Sequence, residues 1–132
     1  DQTKPYPGIV ELLQELKKAG CLTAVVSNKA DAAVQELCER FFKGMFDYAV
    51  GEHEGVQKKP APDMVWLTLE KLGVNAADAV YVGDSEVDVA TAKQSGLDSI
   101  IVTWGFRDRA LLEKHGASVF ADTPEEVLRR CV

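Results

Sequence analysis

Apolar positions along the chain follow two patterns, and each pattern predicts a different element. Between Gly8 and Ala19 they recur with a helical period and Gly20 closes the segment, so a helix is predicted there. The stretch from Leu22 to Val26 is instead a short, nearly continuous apolar and β-branched run. Such a run is typical of a strand buried on both faces of a parallel sheet. The chain is therefore predicted to begin with a helix and a buried strand.

The same alternation of helical and strand patterns continues to the end of the chain. Further helices are predicted at 30–42, 64–72, 86–95, 109–114 and 124–131, and further strands at 48–50, 79–82, 99–102 and 119–121. A polar segment from 51 to 62 is predicted to be a loop. Strands that alternate with helices indicate one α/β domain over residues 1–132, with a doubly wound parallel sheet and helices on both faces.

Composition and charge narrow the classes of partner. The chain has 132 residues, of which 46% are hydrophobic and 27% charged, as in an ordinary globular domain. No apolar run approaches the roughly 20 residues that a membrane span needs, and no signal peptide pattern opens the chain, so a cytoplasmic location is expected. The net charge of −6 argues against nucleic acid and anionic membranes. An anionic small molecule fits only where a lysine, a helix N-terminus or a metal reverses the local field.

Polar residues near the predicted carboxyl ends of strands are candidates for a phosphate site, because open parallel sheets bind ligands at that edge. Ser27 and Asn28 follow the first strand, and their hydroxyl, amide and backbone N–H groups suit phosphate oxygens. Capping of the next helix explains these two residues equally well. Lys59 in the polar loop offers a positive charge for a phosphoryl group, although a lone loop lysine is more often solvated.

Asp84 and Asp88 follow the strand predicted at 79–82 and are candidates for a metal site. At positions i and i+4 their carboxylates lie on one side of a helix start, which suits Mg²⁺ with its waters and a phosphate oxygen. The segment Ser85-x-x-Asp88 also fits a capping box, so a purely structural role remains open.

The order of these segments resembles that of the haloacid dehalogenase-like phosphatase superfamily. Its motifs occur in order as Ser27-Asn28 after a strand, Lys59-Pro60-x-Pro62 in a loop, and Gly83-Asp84-Ser85-x-x-Asp88 after a strand. Residues 4–8 further resemble the segment that re-enters the core after the family's cap domain, and residues 102–107 resemble the phosphoglycolate phosphatase branch. The match covers essentially the whole chain.

The resemblance implies a Rossmann-like core and a Mg²⁺-dependent phosphatase of a small phosphorylated metabolite, with 2-phosphoglycolate as the first candidate. Ser27 would hold the phosphoryl group and Lys59 would neutralise it. Asp84 and Asp88 would position Mg²⁺. This assignment agrees with the physics of phosphoryl transfer, in which alignment and charge stabilisation supply most of the catalysis.

The sequence departs from the family at the nucleophile. The family forms an aspartyl-phosphate on an Asp-x-Asp-Gly-Thr segment after its first strand, and no Asp-x-Asp occurs among these 132 residues. We therefore expect a core portion whose nucleophile and cap lie outside this chain, and no activity from the chain alone. The alternative is a non-catalytic binding or interaction module. A phospho-acceptor receiver domain fits poorly, because Lys59 precedes the acidic pair instead of following it.

The absent first strand predicts a gap in the sheet, because in the family it lies centrally, between the strands that end at Val26 and Val82. Unpaired backbone groups cost about 1–3 kcal/mol each when buried without a partner. We expect the two strands either to pair directly or to accept a segment of another chain, which would permit self-association. Strands that stand apart would argue against the strand placement or the assumed topology.

Overall fold

The structure is a computed structural model, and it describes residues 7–104 and 108–132. Residues 4–6 of the segment at 4–8 and the last three residues of the segment at 102–107, both singled out in the sequence, therefore lie outside the described residues. No helix in the described ranges combines the length and the apolar character that crossing a membrane requires.

Helices occupy the positions that the helical periods predict. The α-helices are α1 (Ile9–Lys18), α2 (Asp31–Phe41), α3 (Asp63–Leu72), α4 (Glu86–Ser95), α5 (Arg109–Lys114) and α6 (Pro124–Cys131), with a short 3₁₀ helix at Ala76–Asp78. Their ends follow the expected signals: α3, for example, ends at Gly73, whose φ of 71° is a left-handed conformation that glycine adopts without strain.

The strands form two parallel sheets. They are β1 (Ala24–Ala30), β2 (Tyr48–Glu52), β3 (Val80–Gly83), β4 (Asp98–Val102) and β5 (Phe120–Ala121). One sheet has the order β1-β2 and the other the order β3-β4-β5, and every ladder between these strands is parallel. Parallel strands that alternate with helices confirm the predicted α/β fold.

Helices cover both faces of β4, as a doubly wound sheet requires. On one face Ile101 packs with Val89 of α4 and Leu112 of α5. On the other face Ile100 and Val102 pack with Val127 of α6, and Leu12 of α1 lies against the same cluster. Burying each of these aliphatic side chains contributes about 1.5–3 kcal/mol, so the core of the second sheet is centred on β4.

The first strand differs from its prediction. It begins at Ala24 rather than at Leu22, whose side chain is 50% exposed, and it continues to Ala30. Its ladder with β2 is irregular between Val26 and Ala30. Ser27 lies in this irregular part, where its hydroxyl accepts a hydrogen bond from the backbone N–H of Lys29 at 3.1 Å. Such local side-chain bonds compete with the regular ladder, which accounts for the irregularity. Ser27 and Asn28, which were predicted to follow the strand, therefore lie within it.

Strand β3 is not buried on both faces, and that part of its prediction is wrong. Tyr81 is 9% exposed and packs with Val65 and Ala92, whereas Val80 and Val82 on the opposite face are 37% and 44% exposed. The helices on that opposite face, α1 and α6, pack on the cluster built from β4 and β5. The apolar run therefore identified the strand correctly but not the burial of both its faces.

No ladder joins β1 to β3 within the described residues, so direct pairing of these two strands, one of the two arrangements expected, does not occur. Helix α3 connects the two sheets on one side: Val65 of α3 contacts Tyr81 of β3, and Val26 of β1 packs against the same cluster. We call the space between β1 and β3 the slot.

Candidate active site

Asn28 attaches the end of β1 to the loop that carries Lys59. The amide oxygen of Asn28 accepts a hydrogen bond from the backbone N–H of Lys59 at 2.7 Å, and its amide nitrogen donates to the Lys59 carbonyl at 3.1 Å. A side-chain amide that satisfies both backbone groups of one residue fixes that residue in position. The amide predicted to bind phosphate is thus engaged with Lys59.

The ammonium group of Lys59 lies in a small hydrogen-bonded ring. Its nitrogen is 2.9 Å from Asp88 Oδ1 and 2.9 Å from the hydroxyl of Tyr81, to both of which it donates. The Tyr81 hydroxyl in turn donates to Asp88 Oδ1 at 2.8 Å. The side chains of Lys59 and Asp88 are only 13% and 8% exposed. We call this group of three side chains the Lys59 ring.

The second carboxylate oxygen of Asp88 is held by the turn between β3 and α4. It accepts hydrogen bonds from the backbone N–H of Asp84 at 2.9 Å and from the backbone N–H and hydroxyl of Ser85 at 3.2 and 3.1 Å. Ser85 completes a capping box with the Asp88 N–H, as the structural alternative predicted. Gly83 makes this turn possible, because a Cβ at that position would collide with the Asp88 carboxyl.

The two aspartates have opposite electrostatic environments. Burial raises the pKa of Asp88, but the hydrogen bond and charge of Lys59, with further hydrogen bonds, outweigh burial and leave that pKa below its ordinary value. The pKa of Asp84 is raised, first by burial and then by the negative charge of Asp88. Burial and the same charge raise the pKa of Tyr81, which keeps its hydroxyl protonated. Asp88 is therefore the anion of an ion pair with Lys59. Asp84 is a partly buried carboxyl group beside a second negative charge, that of Asp88.

These contacts bear on the predicted magnesium site. Both oxygens of Asp88 already accept hydrogen bonds, whereas Asp84 as a whole residue is exposed at the carboxyl end of β3, even though its carboxyl group is partly buried. The excess negative charge around Asp84 suits a bound cation. Among the described residues, no three His, Cys, Asp or Glu side chains are grouped as metal ligands. Of the two predicted metal ligands, Asp84 is thus the one open to a cation, whereas Asp88 is engaged with Lys59.

The structure links four of the predicted residues and leaves the fifth apart. Hydrogen bonds run from Asn28 to Lys59, from Lys59 to Asp88, and from Asp88 to the backbone of Asp84. Within the described ranges, no bond joins Ser27 to Lys59 or to either aspartate; its hydroxyl serves the Lys29 N–H.

Tyr81 was missed as a site residue by the sequence interpretation. A signal for it was present, because Tyr81 is the one residue with a hydroxyl in the run from Ala79 to Val82. A buried tyrosine hydroxyl usually finds a hydrogen-bond partner. Its partners here are the two residues that the sequence had assigned to separate roles, one to the phosphate and one to the metal.

Comparison with known proteins identifies the class of this chain. The sequence model of the haloacid dehalogenase-like hydrolases matches residues 1–102, and the chain belongs to that family. A phosphoglycolate phosphatase of Aquifex aeolicus is 38% identical over 105 residues, which cover 79% of this chain and 49% of that protein.

Two solved structures show the same fold. A candidate phosphoglycolate phosphatase of Lactobacillus delbrueckii subsp. bulgaricus superposes with a TM-score of 0.98 at 47% identity, covering 100% of this chain and 55% of that one. CbbY of Rhodobacter sphaeroides, solved with xylulose-(1,5)-bisphosphate, gives a TM-score of 0.75 at 34% identity, covering 89% and 53%.

The chain therefore spans about half the length of the relatives that it matches. The separation of β1 from β3 does not contradict the family topology, because this chain matches the Lactobacillus protein over its whole length with the slot in place. Absence of a β1-β3 ladder therefore does not argue against the predicted strand placement.

Proposed function

We propose that the protein to which this chain belongs hydrolyses the phosphate monoester of a small metabolite, with 2-phosphoglycolate as the first candidate. The observation that carries this proposal is the Lys59 ring. It holds a buried ammonium group at the carboxyl end of β3, in a chain whose net charge of −6 would otherwise repel an anion. Family membership adds the class of reaction.

Each residue has a proposed task in phosphoryl transfer. Lys59 offsets the negative charge of the phosphoryl group, and Ser27 donates a hydrogen bond to one of its oxygens. Asn28 keeps the Lys59 loop at the end of β1. Asp84 would hold Mg²⁺, which supplies further positive charge against the phosphate when it is bound.

The covalent step needs a carboxylate that the Asp-x-Asp segment supplies in the family. That carboxylate attacks phosphorus, the bond to the ester oxygen breaks, and the departing alkoxide takes a proton from the general acid that the same segment supplies in the family. Water then hydrolyses the aspartyl-phosphate to release phosphate. The residues of this chain would hold the phosphoryl group during both steps.

The names of the relatives support a small phosphorylated substrate. One relative is a phosphoglycolate phosphatase, and one structure contains a sugar bisphosphate. The net charge supports a metabolite over nucleic acid or a membrane surface. We propose the small metabolite as the partner of this site.

The test compares this chain with a longer form of the same protein that includes the preceding coding sequence. With Mg²⁺ and 2-phosphoglycolate, the chain alone should show no activity above background and the longer form should show turnover. Lys59→Ala should abolish that turnover. Lys58→Ala is the matched control, because the neighbouring Lys58 makes an exposed ion pair with Glu52 at 3.7 Å and, among the described residues, no contact with the Lys59 ring.

Two results would overturn the proposal. Turnover by the chain alone that disappears in Lys59→Ala would show that another residue serves as nucleophile. A longer form that is inactive towards a panel of phosphate monoesters would instead favour the non-catalytic binding module.

A further inference from the structure

We infer that the Tyr81 hydroxyl is a positioning group for Lys59, which directs one ammonium proton of Lys59 towards the anionic ligand. The inference rests on the proposed function only for the nature of that ligand. The orientation of Lys59 itself follows from the contacts in β3 and α4.

Counting protons shows why the hydroxyl matters. A lysine ammonium has three protons, and Lys59 donates one to Asp88 and one to Tyr81. Within the described part of the chain it has no other acceptor, which leaves one proton for a ligand. With Asp88 alone the ammonium group could rotate about a single hydrogen bond. With two acceptors on different elements, the direction of the third proton is fixed.

Tyr81 is suited to this task because each end of the side chain is fixed. Its ring is buried against Val65 and Ala92, and its only hydroxyl proton is committed to Asp88. A lone pair of the same oxygen therefore faces Lys59. The Lys59 nitrogen is also 5.6 Å from the centre of the Tyr81 ring, a contact that phenylalanine would retain.

The competing explanation is that these hydrogen bonds do no more than satisfy the polar Tyr81 hydroxyl, which would otherwise be buried in the core without a partner. Both explanations predict that Tyr81→Phe costs some stability, because Asp88 loses one donor. Only positioning predicts that the ammonium group of Lys59 becomes less ordered while the protein remains folded.

The decisive experiment measures the exchange of lysine ammonium protons with water by NMR on the whole 132-residue chain. In the unmodified chain, Lys59 should exchange much more slowly than Lys43, whose exposed ion pair with Glu39 is a matched reference. If the ammonium protons of Lys59 exchanged as fast as those of Lys43 in the unmodified chain, that result alone would overturn the inference. Tyr81→Phe should accelerate Lys59 exchange on the order of tenfold, the equivalent of one charged hydrogen bond.

Tyr48→Phe is the matched control, because it makes the same chemical change at a half-buried tyrosine of β2 in the other sheet. It should leave Lys59 exchange unchanged. Unchanged exchange in a folded Tyr81→Phe protein would show that the hydroxyl has no positioning role.

Inorganic phosphate with Mg²⁺ serves as the probe for the ligand side. Tyr81→Phe should weaken phosphate binding on the order of tenfold, and Tyr48→Phe should not. Equal phosphate affinity in Tyr81→Phe and the unmodified chain would overturn the inference. Absence of phosphate binding by the unmodified chain would count against the proposed function instead, and the exchange rates would still decide the role of Tyr81.

Discussion

Replacing Asp88 by asparagine should strongly destabilise the fold, although the two side chains have nearly the same shape. Asp88 accepts five hydrogen bonds: Lys59 and Tyr81 donate to Oδ1, and the N–H of Asp84 with the N–H and hydroxyl of Ser85 donate to Oδ2. An amide has only one acceptor oxygen. In either orientation its NH₂ group would face donors.

The size of the effect follows from burial. Asp88 and Lys59 are 8% and 13% exposed, so the substitution leaves a nearly buried ammonium without its anion. Removing one partner of a buried ion pair typically costs about 3–5 kcal/mol, a large fraction of the 5–15 kcal/mol that stabilises an ordinary domain. Because the pKa of Asp88 is lowered, its contribution should be present above the ordinary value of 3.8 and should disappear as the pH falls through the lowered pKa.

Urea unfolding at neutral pH without Mg²⁺ measures this free energy, with Asp84→Asn as the matched control four residues away. The raised pKa of Asp84 means that its charge destabilises the folded state, so Asp84→Asn should increase stability. Opposite signs for the two substitutions are the expected result. A cost below about 1 kcal/mol for Asp88→Asn, the upper end of the usual range for an exposed ion pair, would refute the reasoning.

Three other outcomes are expected. Gly83→Ala should cost about 1–3 kcal/mol in urea unfolding, because the added Cβ meets the Asp88 carboxyl; an unchanged midpoint would show that the turn can relax. Asp31 accepts a hydrogen bond from the Gly51 N–H at 2.9 Å, which lowers the pKa of Asp31. Asp31→Asn should therefore lose stability at neutral pH, and the difference from the unmodified chain should shrink as the pH falls below 3.8. A difference independent of pH would contradict this. The slot should promote self-association, detectable as a concentration-dependent mass in sedimentation, and a monomer at all concentrations would refute that proposal.

The order of elements could be predicted from the sequence because periodicity reports it directly. The runs around Val26, Tyr81 and Ile101 were each identified as strands, and the glycines after the helices marked their ends. Periodicity reports less about what covers a strand. Val80 and Val82 look like core residues in the sequence, and their exposure depends on which strands the distant helices α1 and α6 reach.

The candidate site was predictable as a set of residues but not as a set of contacts. Spacing within one segment identified Asp84 and Asp88 and also the capping box of Ser85, since both lie within a single helical turn. The bonds from Asn28 to Lys59 and from Lys59 to Asp88 join segments about thirty residues apart, and only the folded chain defines them. Sequence spacing therefore gave the acidic pair but not the partner of each carboxylate.

The slot has a consequence for how the site responds to movement. No strand ladder crosses it among the described residues, yet the hydrogen bonds from Asn28 in β1 through Lys59 to Tyr81 in β3 and Asp88 in α4 do. The hydrogen bonds of the polar site therefore connect the β1-β2 sheet to the β3-β4-β5 sheet. A shift of one sheet relative to the other would therefore change the geometry of the hydrogen bonds around the Lys59 ammonium. We expect a segment that pairs with β1 and β3 in the slot to influence, through these hydrogen bonds, the direction in which the Lys59 ammonium points.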